Sequence, residues 1–166
     1  LAVIRAGLGS VAPLTALSLL GAEQLEQRVC GVPHIDVAIL KASTVYSSLS
    51  EADDVVLWLW RALESFDDAE RRLFLKFVWG RSRLPPLVQR LSTPMKVQLF
   101  IPRGQSGVVT GGEHDTFLPV SHTCWFQLDL PAYSSYEVLR ERLEFFQQQF
   151  NEDKYIRGTG LDLVLF

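Results

Sequence analysis

The stretch Leu118-Pro119-Val120-Ser121-His122-Thr123-Cys124-Trp125-Phe126-Gln127-Leu128-Asp129-Leu130-Pro131-Ala132-Tyr133 decides how the rest of the chain is read. From Cys124 to Leu130 the side chains alternate with the period of a half-buried strand. Phe126, Leu128 and Leu130 take one face, and Trp125, Gln127 and Asp129 take the other. Pro131 closes the strand, because proline has no N–H for the next ladder bond. Cys124 shares the parity of the apolar set but stands at the strand's first position, where a side chain can emerge. Ahead of it lies Pro102 to Ser121, carrying Pro102, Gly104, Gly107, Gly111, Gly112 and Pro119. A structureless loop of that length inside a compact domain is uncommon and often functional. Cys124 therefore reads as an accessible thiol supported from behind, with His122 and Thr123 beside it as donors to a thiolate.

Outward from this run, Lys96 to Ile101 alternates as a second strand, with Val97, Leu99 and Ile101 on one face. Ser134-x-x-Glu137 caps a last helix carrying Leu139, Leu143, Phe146 and Phe150. Upstream, Asp67-x-x-Glu70 forms a capping box for a helix with the core stripe Leu73, Phe74, Phe77 and Val78, and Gly80 lies just past its end. Ser50-x-x-Asp53 opens a longer helix whose Val55-to-Trp60 run is apolar all round, which calls for burial on more than one side. Asp36 is the N-cap of a helix through Val37, Ile39 and Leu40. Gly31-Val32-Pro33-His34 breaks the pattern, since Pro33 fixes its own φ and disfavours helix at Val32. Before it, Leu14 to Leu20 and Ala22 to Cys30 form two helices too short to bury their apolar sides alone. Helices, then a small sheet, then a packing helix make an α+β domain.

Composition excludes several classes. The net charge of −3 is spread without a basic stripe, as in Glu70-Arg71-Arg72, which excludes a nucleic-acid partner and reads as solvated helix faces. No apolar run approaches the roughly 18 residues of a membrane span. The only two cysteines, Cys30 and Cys124, are far apart and form neither a disulfide framework nor a zinc spacing, so no metal is expected and a reducing compartment is. Cys30 closes a helix whose apolar residues face inward and reads as structural. A papain-like hydrolase fails on order: it needs a histidine well downstream of its cysteine, and His34, His114 and His122 all precede Cys124. The chain begins at Leu1 without a signal pattern and reads as a piece of something longer.

The 118–133 run resembles the catalytic signature of the HECT-type ubiquitin ligases, Leu-Pro-x-x-His-Thr-Cys-Phe-x-x-Leu-Asp-Leu-Pro-x-Tyr, with Trp125 in place of Phe. Arg28-Val29-Cys30-Gly31, Ile35-Asp36, Thr44-Val45-Tyr46, Trp58-x-Trp60 and the segment from Phe66 through Phe77 to Pro85 also match runs of that family, and Phe77-Val78-Trp79-Gly80-Arg81 is similar to its large HERC-type members. The resemblance implies a HECT C-lobe of several helices packed on a small β-sheet, preceded by a short helical tail of the N-lobe. Residues 1–31 are then that tail, Val32, Pro33 and His34 the hinge, and 35–166 the C-lobe. Two departures stand out: Gln89 to Thr116 lacks the family's Gly-Phe-rich stretch, and Phe166 ends the chain where many members place a Phe four residues earlier.

The implied activity is ubiquitin-protein ligation: Cys124 accepts ubiquitin from a conjugating enzyme as a thioester and passes it to a substrate lysine, with no cofactor. Ubiquitin, the conjugating enzyme and a protein substrate are the implied partners, in the cytoplasm or nucleus. Because the conjugating enzyme binds the N-lobe, the isolated chain is expected to be inefficient. Thiol exchange needs access and a few per cent thiolate, which an ordinary cysteine supplies. Amine attack is harder, needing a deprotonated lysine and a stabilised oxyanion, for which backbone N–H groups from Thr123 to Trp125 are candidates. His122 either takes part in this chemistry or holds the loop by hydrogen bonding; Thr123 is a second supporting residue. Trp125, Gln127 and Asp129 are the face on which the ubiquitin tail would lie, Trp125 being either reachable or fully buried. The competing reading is a non-catalytic module that binds ubiquitin or a partner.

Overall fold

In the computed structural model the described residues are 2–86, 91, 93–102 and 112–145. The chain opens with three helices, α1 (Ala2–Val11), α2 (Leu14–Leu17) and α3 (Ala22–Cys30), none of which buries a residue. No helix was expected at α1, whose Gly7 and Gly9 are weak helix formers. Cys30 is exposed, as is Val29, against the expectation of an inward-facing end to α3. Among the described residues α3 buries none of its side chains, and it is tied to the compact part by an ion pair of Glu26 with Arg83 at 2.8 Å.

The compact part begins at Gly31. Helix α4 (Val37–Ala42) is capped as expected: Asp36 accepts from the N–H of Ala38 at 2.8 Å and of Ile39 at 3.3 Å. Strand β1 (Thr44–Ser47) follows directly, a run whose exposed Val45 and buried Thr44 reverse the usual alternation and hide it from pattern reading. Helix α5 (Asp54–Ser65) buries Val55, Val56, Leu59, Trp60, Ala62 and Leu63, one broad face rather than the burial on more than one side that its apolar run led us to expect, and Leu57 is exposed. Helix α6 (Asp68–Trp79) carries the capping box in full, with Asp67 accepting from Glu70 N–H and Glu70 accepting from Asp67 N–H. It ends on Gly80, whose φ of +72° is left-handed and whose N–H reaches Lys76 O at 2.8 Å.

Four strands form one mixed sheet in the order β1-β2-β4-β3. β2 (Met95–Leu99) runs parallel to β1 and to β4 (Gln127–Leu130), while β3 (Val120–His122) is antiparallel to β4. A parallel pair needs a crossover, and α5 and α6 provide it between β1 and β2. Met95, Val97 and Leu99 point into the core with Phe126, Leu128 and Leu130, against Trp60, Leu75 and Val78. Ile101 departs from expectation: it is exposed, because the last β2–β4 bond runs from Phe100 N–H to Leu130 O and the next donor beyond β4, Ala132 N–H, goes to His114 Nδ1 instead. Among the described residues no helix is long and apolar enough to cross a membrane.

The final helix, α7, is described over residues 136–145 and buries Leu139 and Leu143; Phe146 and Phe150 lie outside the described residues. Its start also differs from expectation. Ser135, not Ser134, accepts from Val138 N–H at 3.3 Å, because Asp115 takes both the N–H and the hydroxyl of Ser134. Asp115 belongs to a 3₁₀ turn, Glu113–Thr116, within what had read as a featureless loop. Of that loop, residues 103–111 lie outside the described residues, as do 146–166 at the chain's end, so Gly104, Gly107, Gly111 and the Phe166 terminus go without a structural account.

Candidate active site

Cys124 sits at the tip of a hairpin rather than at the head of a strand. His122 pairs with Gln127, so Thr123 to Phe126 are the connection between β3 and β4. Thr123–Trp125 form a 3₁₀ turn and Phe126 takes the left-handed region at φ 50°, ψ 49°, a turn followed by a positive-φ residue that reverses the chain. The expected strand from Cys124 thus shortens to Gln127–Leu130, because the turn consumes its first residues.

The turn is held from below. Left-handed φ costs a non-glycine residue roughly 1–2 kcal/mol. Fully burying a Phe side chain contributes about 2–3 kcal/mol, enough to offset that cost. Phe126 is completely buried and stacks on Trp79, ring centroids 4.3 Å apart and 9° from parallel. Its carbonyl accepts from Lys96 N–H at 2.9 Å, which ties the turn to β2. Gly80 lies under Thr123, where an added Cβ would stand 3.9 Å from Thr123 Cβ. The end of α6 is therefore the floor on which the cysteine turn rests, and Arg81 extends it by lying over the Trp79 ring at 4.9 Å.

Above that floor Cys124, Thr123 and His122 are exposed, and Trp125 is 75% exposed, which decides the alternative for Trp125 in favour of a reachable ring. His122, Gln127 and Asp129 share one face of the hairpin. Asp129 Oδ2 lies 3.0 Å from His122 Nε2, and Asp129 Oδ1 accepts from Gln127 Nε2 at 2.6 Å. Asp129 is the covered member, its side chain 17% exposed against 44% for His122. Among the described residues no group of His, Cys, Asp or Glu is arranged to hold a metal.

The profile of the family described as HECT-domain (ubiquitin-transferase) matches residues 1–150. The chain belongs to the HECT family. It is 37% identical over 163 residues to the E3 ubiquitin-protein ligase HERC2 of Homo sapiens, covering 94% of this chain and 3% of that protein. It is 35% identical over 167 residues to HUWE1 of Mus musculus, with 97% and 3% covered. With UPL2 of Arabidopsis thaliana it shares 33% over 150 residues, with 88% and 4% covered. The chain thus spans a few per cent of the length of the curated relatives it matches.

Within this HECT chain the structure brings His122, Thr123, Cys124, Trp125, Gln127 and Asp129 together on one hairpin. Val32, Pro33 and His34 lie elsewhere, with Val32 paired to Leu84 by N–H···O bonds of 2.8 and 3.3 Å and His34 Nδ1 3.0 Å from Asp68 Oδ1. Gly31 is buried at φ +87°, where a Cβ would stand 2.3 Å from Leu84 O, so only glycine permits that approach. Sequence reasoning missed the supports of the site. Trp79 and Gly80 read as a helix end, and nothing in their spacing says that the helix ends beneath a turn some forty residues later. His114 was passed over too: it is buried between Phe100 and Phe117, and its Nδ1 accepts from Ala132 N–H at 2.9 Å. Tyr133, which closes the signature run, donates its hydroxyl to Phe117 O at 3.0 Å, and burial pushes its pKa up, so it remains a donor. These contacts bind the approach to β3 to the exit of β4.

Proposed function

We propose that this chain is the ubiquitin-accepting C-lobe of a HECT ligase, with residues 1–31 the tail of the N-lobe and 32–34 the hinge. The single observation that carries this is the exposed Cys124 on a braced hairpin tip inside a family-wide match. Cys124 thiolate attacks the carbonyl carbon of ubiquitin's C-terminal thioester on the conjugating enzyme, whose thiolate leaves. A substrate lysine then attacks the new thioester, forming the C–N bond of the isopeptide and expelling Cys124 as thiolate. The first N–H groups of the 3₁₀ turn at Thr123 have no acceptor within the turn and suit the oxyanion. His122 supports the second step by accepting the lysine proton. Exposed Trp125 offers apolar surface to the ubiquitin tail, with Gln127 beside it on β4.

In this reading the hinge works by opening bonds already present: the Val32–Leu84 pair and the His34–Asp68 contact must yield when the lobe turns.

Both cysteines are exposed, which supplies an internal control. A small alkylating agent should modify Cys30 and Cys124 alike. Ubiquitin carrying an electrophile at its C-terminus should label Cys124 and spare Cys30. Equal labelling of both by the ubiquitin probe would mean that accessibility alone is being read, and would remove the site.

A further inference from the structure

The face of the hairpin beside Cys124 holds a second arrangement. His122 and Asp129 are diagonal neighbours across β3 and β4, since His122 pairs with Gln127 and Asp129 lies two residues on along the same face. An ionised carboxylate only accepts, so the 3.0 Å bond to Oδ2 places the imidazole proton on Nε2. Gln127 occupies Oδ1 at 2.6 Å and stops the carboxylate from turning away. Both Asp129 oxygens are thereby engaged within the protein, and the residue is well covered while His122 reaches solvent. Asp129 is poorly placed to bind ubiquitin itself and well placed to govern the ring two residues before the cysteine.

We infer that Asp129 is a positioning residue for the amine-attack step: braced by Gln127, it holds His122 as the Nε2–H tautomer and leaves Nδ1 as the ring's proton acceptor. The inference rests on the transfer reading above. In the step it serves, a neutral lysine amine adds to the thioester carbonyl carbon, and the carbonyl electron pair moves to oxygen. The nitrogen's proton passes to His122 Nδ1. Collapse of the oxyanion restores the carbonyl and breaks the C–S bond, its electron pair leaving on Cys124 Sγ, and the imidazolium then returns the proton to that thiolate. Charging of Cys124 exchanges one thiolate for another and has no amine proton to remove. Asp129 therefore matters for discharge and not for charging.

The test charges the chain by thiol exchange with a small-molecule ubiquitin thioester, then follows single-turnover discharge to free lysine. Asp129→Asn should slow discharge on the order of 10-fold or more, less than the roughly 100- to 10,000-fold of a general base itself because Asp129 acts only through His122. Charging, which needs only thiolate and access, should stay within about twofold. Asp129→Asn combined with His122→Gln should be no slower than His122→Gln alone, because the two act as one unit. Nitrogen-15 spectra of the uncharged wild-type imidazole should show Nε2 protonated and Nδ1 bare, a readout that needs neither a variant nor ubiquitin. A wild-type Nδ1–H tautomer, or discharge indifferent to Asp129→Asn, would overturn the inference while leaving the thioester reading standing. A wild-type chain that cannot be charged at all would overturn the transfer reading, and this inference with it.

Discussion

Phe126 is the residue on which the shape of the cysteine turn depends, and truncating it separates two effects that the structure joins. Its side chain is fully buried and stacked on Trp79 at 4.3 Å, so removal to Ala leaves a cavity beneath Cys124. Phe-to-Ala changes in cores cost about 3–5 kcal/mol. A stacked aromatic pair adds roughly 0.5–1.5 kcal/mol beyond burial. Phe126→Ala should therefore lose about 3.5–6.5 kcal/mol, a large part of the roughly 5–15 kcal/mol of a typical domain. Phe126→Gly makes the same cavity but removes the left-handed strain, since φ here is +50°. Glycine loses about 0.4–1 kcal/mol through the freedom of the unfolded chain. It regains roughly 1–2 kcal/mol by relieving Cβ strain. The glycine variant should thus match the alanine variant or exceed it by up to about 1.6 kcal/mol. Urea unfolding followed by tryptophan fluorescence measures both. A glycine variant clearly less stable than the alanine variant would refute a left-handed Phe126, and with it the turn that presents Cys124.

Gly31→Ala should disrupt the Val32–Leu84 pair, because the new Cβ meets Leu84 O; hydrogen exchange should speed at Val32 and Leu84 while amides of β2 and β4 stay protected. His114→Phe keeps the aromatic packing but leaves Ala132 N–H without its acceptor, and should cost about 1–3 kcal/mol in denaturant unfolding. Tyr133→Phe should cost roughly 1 kcal/mol at neutral pH by removing the bond to Phe117 O. Burial raises the Tyr133 pKa, so the wild-type phenol contributes stability that is present below about pH 10 and falls as pH rises beyond it; the Phe variant should show a flatter alkaline profile.

The sequence made the helices of the compact part legible because their signals are local. Asp36 and the Asp67–Glu70 box form the cap bonds their spacing demands, and Gly80 ends α6 in the conformation that glycine favours. Strands fared less well. β1 has four residues and its alternation is inverted by Thr44, whose hydroxyl satisfies itself on Leu40 O and so can be buried. The signature run misled on one point: burial alternates from Trp125 onward and not from Cys124, because the backbone turns over Thr123–Phe126, and a conformation set by stacking on a distant Trp79 has no local mark. Cys30 shows the opposite error, since an apolar helix end says nothing about whether a neighbour covers it. The exposure of Cys124 was legible. What surrounds it comes from β4, α6 and the Asp129 bonds, which only the folded chain brings together.

The most direct test of the account follows thioester formation in the intact protein given a ubiquitin-charged conjugating enzyme, read on a non-reducing gel and repeated with reductant. A ubiquitin adduct is expected that reductant removes, that persists in Cys30→Ser, that is lost in Cys124→Ala, and that in Cys124→Ser becomes at most a reductant-resistant ester. A reducible adduct surviving in Cys124→Ala would contradict this.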